Sequence, residues 1–296
     1  MQFSPQLFYA PKRRQIHFLL VSLSISLTAM PMFGEETSLS ERIGPLLRES
    51  RYTDAKQILD AEIKANPKES LAYALRADAD LGMNDAGKAM ADCNRAIDLD
   101  AASARAFQIR AAVYLQLGQL DRALIDAKKA VSLDPDDVRV LGYEAQIYAL
   151  RRDYPEALRD LNKAIKVDCK YPDAYSDRAF VYNMLGEYNK ALADSNKALS
   201  VGREENLAVY KAYGNRARAY LHLAKYADAL ADANTMVKHY PSYAQAYLLR
   251  ADIYRKMGKA ELAVRDEKLA QKVTGDPKLL WLQKHTYKGV SKQKSP

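Results

Sequence analysis

At 296 residues the chain is long enough for about two globular domains, and its formal charge of +8 invites a nucleic-acid reading. The charge sits in the ends, however: Lys12, Arg13 and Arg14 with no acid in residues 1–34, and Lys278, Lys284, Lys288, Lys292 and Lys294 with no acid in residues 278–296. The body between them is neutral, a poor phosphate-binding surface, which argues against nucleic acid as the partner.

Taken from the N-terminus, Lys12-Arg13-Arg14 precede an apolar run from Ile16 to Met30 that holds no acid, Lys or Arg. That run has signal-peptide length and is short for a full membrane span. Residues 1–34 are expected to be a signal peptide, cleaved after Ala29 or Gly34, or else an uncleaved N-terminal anchor. The basic residues before the run place the repeats outside the cytoplasm in either case, so the chain is expected to be exported (periplasmic or extracellular) or membrane-anchored. No cysteine near the run is available to accept a lipid.

From about residue 36 to residue 276 the sequence repeats every 34 residues, in units near 36–69, 70–103, 104–137, 138–171, 172–209, 210–243 and 244–276. The first unit keeps Tyr52, Ala55, Leu59 and Pro67, but Gly44-Pro45 falls within its first helix, which is expected to be interrupted, a degraded cap or partly frayed. In the six later units, column 8 reads Ala77, Ala111, Ala145, Ala179, Ala217 and Ala251. Column 20 reads Ala89, Ala123, Ala157, Ala191, Ala229 and Ala263; column 27 reads Ala96, Ala130, Ala164, Ala198, Met236 and Ala270. Small residues at fixed columns imply the same close helix–helix approach repeated along the chain.

Each unit holds two blocks of helical spacing. Between residues 104 and 137 the first block is Phe107, Ala111 and Tyr114, and the second is Leu120, Ala123, Leu124, Ala127, Val131 and Leu133. Gly118 separates them where a helix end favours positive φ. Aromatic residues in column 11 (Tyr114, Tyr148, Tyr182, Tyr220, Tyr254) and column 4 (Tyr73, Phe107, Tyr175, Tyr213, Tyr247) are assigned to the core. No segment alternates with period two, so no strand is expected. Arg76, Arg110, Arg178, Arg216 and Arg250 in column 7, with Asp92, Asp126, Asp160, Asp194, Asp232 and Asp266 in column 23, are too periodic for a local site and read as structural pairs.

Catalytic residues, cofactors and metal ligands are not expected. His17, His222, His239 and His285 have no ligand spacing, and there is no phosphate loop or nucleophile elbow. Cys93 and Cys169 lie more than two units apart and are expected to be free thiols. The fifth junction is four residues longer (Arg203 to Asn206), extending a loop or the following helix. Residues 277–296 are read as a capping helix around Leu279, Leu280, Trp281 and Leu282, then a basic disordered tail from Tyr287, whose lysines keep the end soluble.

The column pattern resembles the tetratricopeptide repeat family: Gly118, Gly186 and Gly258 in column 15, Tyr154, Tyr188 and Tyr226 in column 17, Pro135 and Pro241 in column 32, with the alanines above. Asn84 and Arg152 depart from Gly, and Ala101 and Cys169 from Pro. The resemblance covers about four fifths of the chain. It implies an all-α, right-handed superhelical solenoid of about seven stacked helix-turn-helix repeats with a C-terminal capping helix.

It further implies a concave groove lined by first helices, with Leu75, Ile109, Arg139, Tyr143, Gln146, Phe180, Asn183, Met184, Asn215 and Arg218 as candidate peptide-binding residues. Of these, Leu75, Ile109, Tyr143, Phe180 and Met184 are apolar at positions that core packing is not expected to claim. The carboxylate-gripping set by which some members hold a chaperone's C-terminus is absent from any three successive units; Lys211 and Asn215 match only fragments. The expected function is a non-enzymatic protein–protein interaction scaffold, exported or membrane-associated through its N-terminus, that binds a peptide or protein segment. The alternative is a structural assembly module of an envelope complex or homo-oligomer.

Overall fold

A computed structural model describes residues 38–203 and 207–274. The expected signal or anchor, the capping helix with its tail, and Glu204, Glu205 and Asn206 of the lengthened junction lie outside the described residues. Among those described there are fourteen α-helices and no strand, paired into seven hairpins. They are α1 (Leu39–Arg48) with α2 (Tyr52–Ala65), α3 (Ser70–Gly82) with α4 (Ala86–Leu99), α5 (Ala104–Gln116) with α6 (Leu120–Leu133), and α7 (Val138–Arg151) with α8 (Tyr154–Val167). Next come α9 (Pro172–Met184) with α10 (Tyr188–Val201), α11 (Leu207–His222) with α12 (Tyr226–His239), and α13 (Ala244–Lys256) with α14 (Ala260–Thr274). The hairpins fall into two units divided after Ala101, one holding α1–α4 and the other α5–α14. Within each, hairpins stack side by side as in an all-α repeat solenoid.

Local chemistry explains where helices begin and turn. Ser38 and Glu41 form a reciprocal capping box at α1, and the side chains of Asp85, Ser103 and Asp137 accept backbone N–H groups at the starts of α4, α5 and α7. Column 15 takes positive φ in all seven hairpins: Gly118, Gly186 and Gly258, but also Ser50, Asn84, Arg152 and Ala224. After Gly118, Gln119 N–H donates to the Tyr114 carbonyl at 2.8 Å, closing the end of α5. Where the residue is not glycine the left-handed turn costs about 1–2 kcal/mol. Packing of the two helices imposes the turn regardless of residue.

The seventeen alanines of columns 8, 20 and 27 are each at most 1% exposed, and Met236 is 2% exposed. A leucine at such a seam would overpack by roughly 1–3 kcal/mol. Helix α11 starts three residues before its unit's column 1, so the lengthened junction extends the helix. Neither cysteine is in a disulfide; Cys93 is buried and Cys169 exposed.

Two expectations are corrected. Helix α1 runs unbroken through Gly44-Pro45. The residue before a proline is pushed out of the helical region in part by its own Cβ, which Gly44 lacks, and Pro45 forfeits a single bond in a short helix closed at its start by the capping box. Of the ten column 4 and column 11 aromatics, Phe107, Tyr148, Tyr175 and Tyr247 are buried, whereas Tyr73, Tyr114, Tyr182, Tyr213, Tyr220 and Tyr254 are half-buried. The half-buried rings still pack against core clusters, as Tyr114, Tyr182, Tyr213 and Tyr220 do. Column 7 arginines lie over rings of both kinds: Arg110 is 5.3 Å from the Phe107 centroid, Arg178 5.7 Å from Tyr175, Arg216 5.5 Å from Tyr213 and Arg76 5.5 Å from Tyr73.

The column 7 arginines also pair with column 23 as expected. Arg76–Asp92, Arg110–Asp126, Arg178–Asp194, Arg216–Asp232 and Arg250–Asp266 are each two-pronged, through Nε and Nη2, at 2.6–3.0 Å. The aspartates are buried, and their hydrogen bonds hold the guanidinium pKa of Arg76, Arg178, Arg216 and Arg250 above its usual value although burial opposes it.

Candidate functional site

In the unit holding α5–α14, consecutive first helices touch: α5 with α7, α7 with α9, α9 with α11, and α11 with α13. No two consecutive second helices approach comparably. First helices therefore form the tighter, inner layer of this unit, and its curved face is theirs. A surface built from parallel helix backbones is rigid, because each helix is held on two sides.

Polar side chains stitch three of these helices together. Asp177 on α9 accepts from Gln146 Nε2 on α7 at 2.8 Å and from Lys211 Nζ on α11 at 3.0 Å. Beside it, Asn183 donates to the Asn215 carbonyl and Asn215 donates to the Ser176 carbonyl, both at 2.8 Å. Burial opposes charge on Lys211, but Asp177 and Asp173 outweigh it and raise the ammonium pKa. Burial pushes the Asp173 carboxyl up, with Lys211 pulling it back. The Tyr171 phenol, which enters α9 just before Pro172, is pushed well up by burial and by Asp173 and Asp177. The face thus carries a charge-balanced seam, held by partners 31 and 34 residues apart.

The ten candidate residues divide. Leu75 is 4% exposed and sits in the α1–α3 core with Ile43 and Leu59, and Ile109 is 3% exposed. Core packing does claim both: Ile43 of α1 and Leu59 of α2 pack with Leu75, and α7 packs against α5, which carries Ile109. Asn183 and Asn215 are likewise buried and spend their amides on neighbouring backbone. Arg139 is exposed and folded back onto Asp137 through Nε at 3.1 Å and Nη2 at 2.6 Å. Tyr143, Gln146, Phe180, Met184 and Arg218 are half-buried on the inner face, with Phe180 packed against the Leu141–Leu161 core.

Residues beyond the ten also shape the face. Gly142 lies mid-helix in α7, buried, yet a Cβ placed on it would meet nothing within 4 Å. Gly214, the equivalent residue of α11, has Met236 Cε 3.3 Å from that point. Apart from its chain neighbours Leu141 and Tyr143, the space over Gly142 is therefore open. The signal was available in column 5, where glycine replaces a side chain in a helix it disfavours by about 1 kcal/mol. His222 stacks flat on Tyr188, with centroids 4.6 Å apart and planes 5° apart. Burial, then Lys256 and Arg218, push its imidazole pKa down. Among the described residues no group of three or more His, Cys, Asp or Glu is placed to hold a metal ion.

Three family models match in sequence: a tetratricopeptide repeat at 104–137, a TPR repeat at 145–186 and a tetratricopeptide repeat at 215–277. The chain is a tetratricopeptide repeat protein. Solved structures agree in fold. The APC/C hetero-tetramer Cut9-Hcn1 superposes with a TM-score of 0.73 at 14% identity, over 82% of this chain and 48% of that one. This repeat protein thus spans about half the length of that relative. A tetratricopeptide repeat protein from Parabacteroides merdae gives 0.61 at 22% identity, over 83% of this chain and 96% of that one. PilW, a type IV pilus biogenesis factor, gives 0.61 at 20% identity, over 72% and 96%. Comparison with curated proteins returns no match. Proteins of this repeat family are in general non-enzymatic and mediate protein–protein interactions, which makes an interaction scaffold the function class of this chain.

Proposed function

We propose that this repeat protein holds an extended or helical segment of another protein against the inner face of residues 102–274, and that it acts outside the cytoplasm, exported or tethered by its N-terminus. The reading is carried by the open space at Gly142, with Tyr143 beside it and Phe180 and Met184 on the next first helix. A rigid floor with aromatic and thioether walls offers apolar pockets, and Gln146 and Arg218 supply hydrogen bonds at their edge. The location rests on Lys12-Arg13-Arg14 and the apolar run after them.

Affinity capture with the full chain, followed by mass identification of the bound polypeptides, tests the groove. Substituting Tyr143 and Phe180 together by Ala is expected to abolish capture with helicity unchanged by circular dichroism. Capture of the same polypeptides in undiminished amount would overturn it. A chain that sediments as an oligomer and captures nothing else would replace it with self-assembly. Cell fractionation tests the location: recovery of the full-length chain in the cytosol alone would refute export and tethering.

A further inference from the structure

Five of the six units from residue 70 onward close the first helix on the second with a column 7 arginine gripping a column 23 aspartate. In the α7–α8 hairpin column 7 is Glu144, opposite Asp160. Both are buried, at 4% and 5% exposure. Asp160 Oδ1 accepts from Arg159 Nε at 3.0 Å, and its Oδ2 is enclosed without a hydrogen-bond partner.

A second exchange accompanies the first. Column 25 of the preceding unit normally presents an acceptor to the column 7 arginine: Asp60 to Arg76, Asn162 to Arg178, Asn196 to Arg216 and Asn234 to Arg250, at 2.6–3.0 Å. Ahead of Glu144 that column holds Lys128. Donor and acceptor have been traded on both sides of one seam. Lys128 reaches the ring of Tyr148, 5.7 Å from its centroid, and forms no ion pair with Glu144 within 4 Å.

We propose that Glu144 and Asp160 together form a proton-binding site that locks the α7–α8 hairpin. One proton taken from solvent sits between a Glu144 oxygen and Asp160 Oδ2, so an O–H···O bond joins the helices where a guanidinium does so elsewhere. When the proton returns to water, two carboxylates face each other inside the packing and the hairpin loosens. Two like charges sharing a buried site cannot both ionise at their ordinary pH, and the pair titrates as a unit.

The surrounding charges pull in both directions. On α8, Arg159 and Lys163 draw the Asp160 carboxyl down and Glu156 pushes it up; on α6, Lys128, and on α7, the Tyr148 hydroxyl, draw Glu144 down. Arg178 of α9 is engaged by Asp194 and Asn162, and Arg110 of α5 by Asp126. Burial, the largest influence on both carboxyls, prevails and raises both above their ordinary values. An acid raised by folding stabilises the fold below its unfolded pKa, and that stability is lost as pH rises through the folded value. The hairpin is therefore tighter in acid.

Hydrogen exchange by mass spectrometry on the full chain, corrected for intrinsic rates and run from pH 4.5 to 8.5, reads this directly. In the wild type, amides of residues 138–167 are expected to lose protection about tenfold per pH unit across the titration, relative to Glu144→Gln. Glutamine keeps the shape and donates its amide to Asp160, so its profile stays flat. Peptides from α9 and α10 serve as the internal control and should behave alike in both proteins. Parallel profiles for 138–167 in wild type and Glu144→Gln would overturn the proposal. So would a Glu144 side-chain carboxyl, identified in 13C NMR by its loss in Glu144→Gln, that titrates at or below the ordinary value of about 4.3.

Discussion

Gly142 and Gly82 make a paired experiment, because the same substitution to alanine should have opposite signs. Both lie in first helices, where glycine disfavours the helix by about 0.8–1.0 kcal/mol relative to alanine. At Gly142 the new Cβ meets nothing within 4 Å. The helix gain is then realised in full, about 1 kcal/mol, and the melting temperature should rise by about 2–4 °C. At Gly82 the Cβ would stand 2.4 Å from Cε1 and Cζ of Tyr52, and 2.8 Å from Cδ1. These are ring atoms of a residue packed against the α1–α3 core, so the ring must be displaced. An overpacking cost of roughly 1–3 kcal/mol offsets or exceeds the helix gain, leaving a net loss of up to about 2 kcal/mol. Calorimetry and urea unfolding of both variants measure the difference. A destabilised Gly142→Ala would refute the reasoning, because it requires that the space beside Tyr143 is filled. Gly142→Ala is also expected to weaken partner capture while stabilising the chain, a combination that loss of folding cannot produce.

Two further outcomes concern the site and its frame. Arg216→Ala strips the guanidinium from Asp232, which is buried, and from Asn196; removing one member of such a pair should cost about 3 kcal/mol, seen as earlier urea unfolding and faster exchange in α11 and α12. His222 has its pKa depressed by burial, then by Lys256 and Arg218. The folded state resists a proton that the unfolded chain accepts, so stability present above the ordinary histidine pKa of about 6.5 should be lost as pH falls toward the depressed value. Thermal melts of wild type and His222→Phe between pH 5 and 7 test this. Equal pH dependence in the two proteins would exclude it, and its sign is opposite to that of the Glu144–Asp160 pair.

The 34-residue period alone determined the helices, their pairing and the alanine seams, because a repeated close approach leaves a repeated small residue. Hairpin boundaries came from the same columns: five of the six units from residue 70 begin their first helix at column 1, and α11 begins three residues early. The Arg–Asp ladder was legible for the same reason, since a periodic contact is written periodically. Which groove columns stay open was not legible. Leu75, Ile109, Asn183 and Asn215 occupy lining positions by column, yet packing against neighbouring helices buries them.

Nor could the columns say that α1 survives Gly44-Pro45, or that four non-glycine residues accept a left-handed turn. Periodicity reports what every unit shares. Burial at one column depends on the particular neighbour leaning on it, and only the packed chain supplies that neighbour. The Gln146–Asp177–Lys211 seam and the two buried carboxyls of Glu144 and Asp160 involve side chains from different helices, and the open space at Gly142 depends on what packs around α7. They are departures from the repeat, and their meaning is settled by what tertiary contact places opposite them.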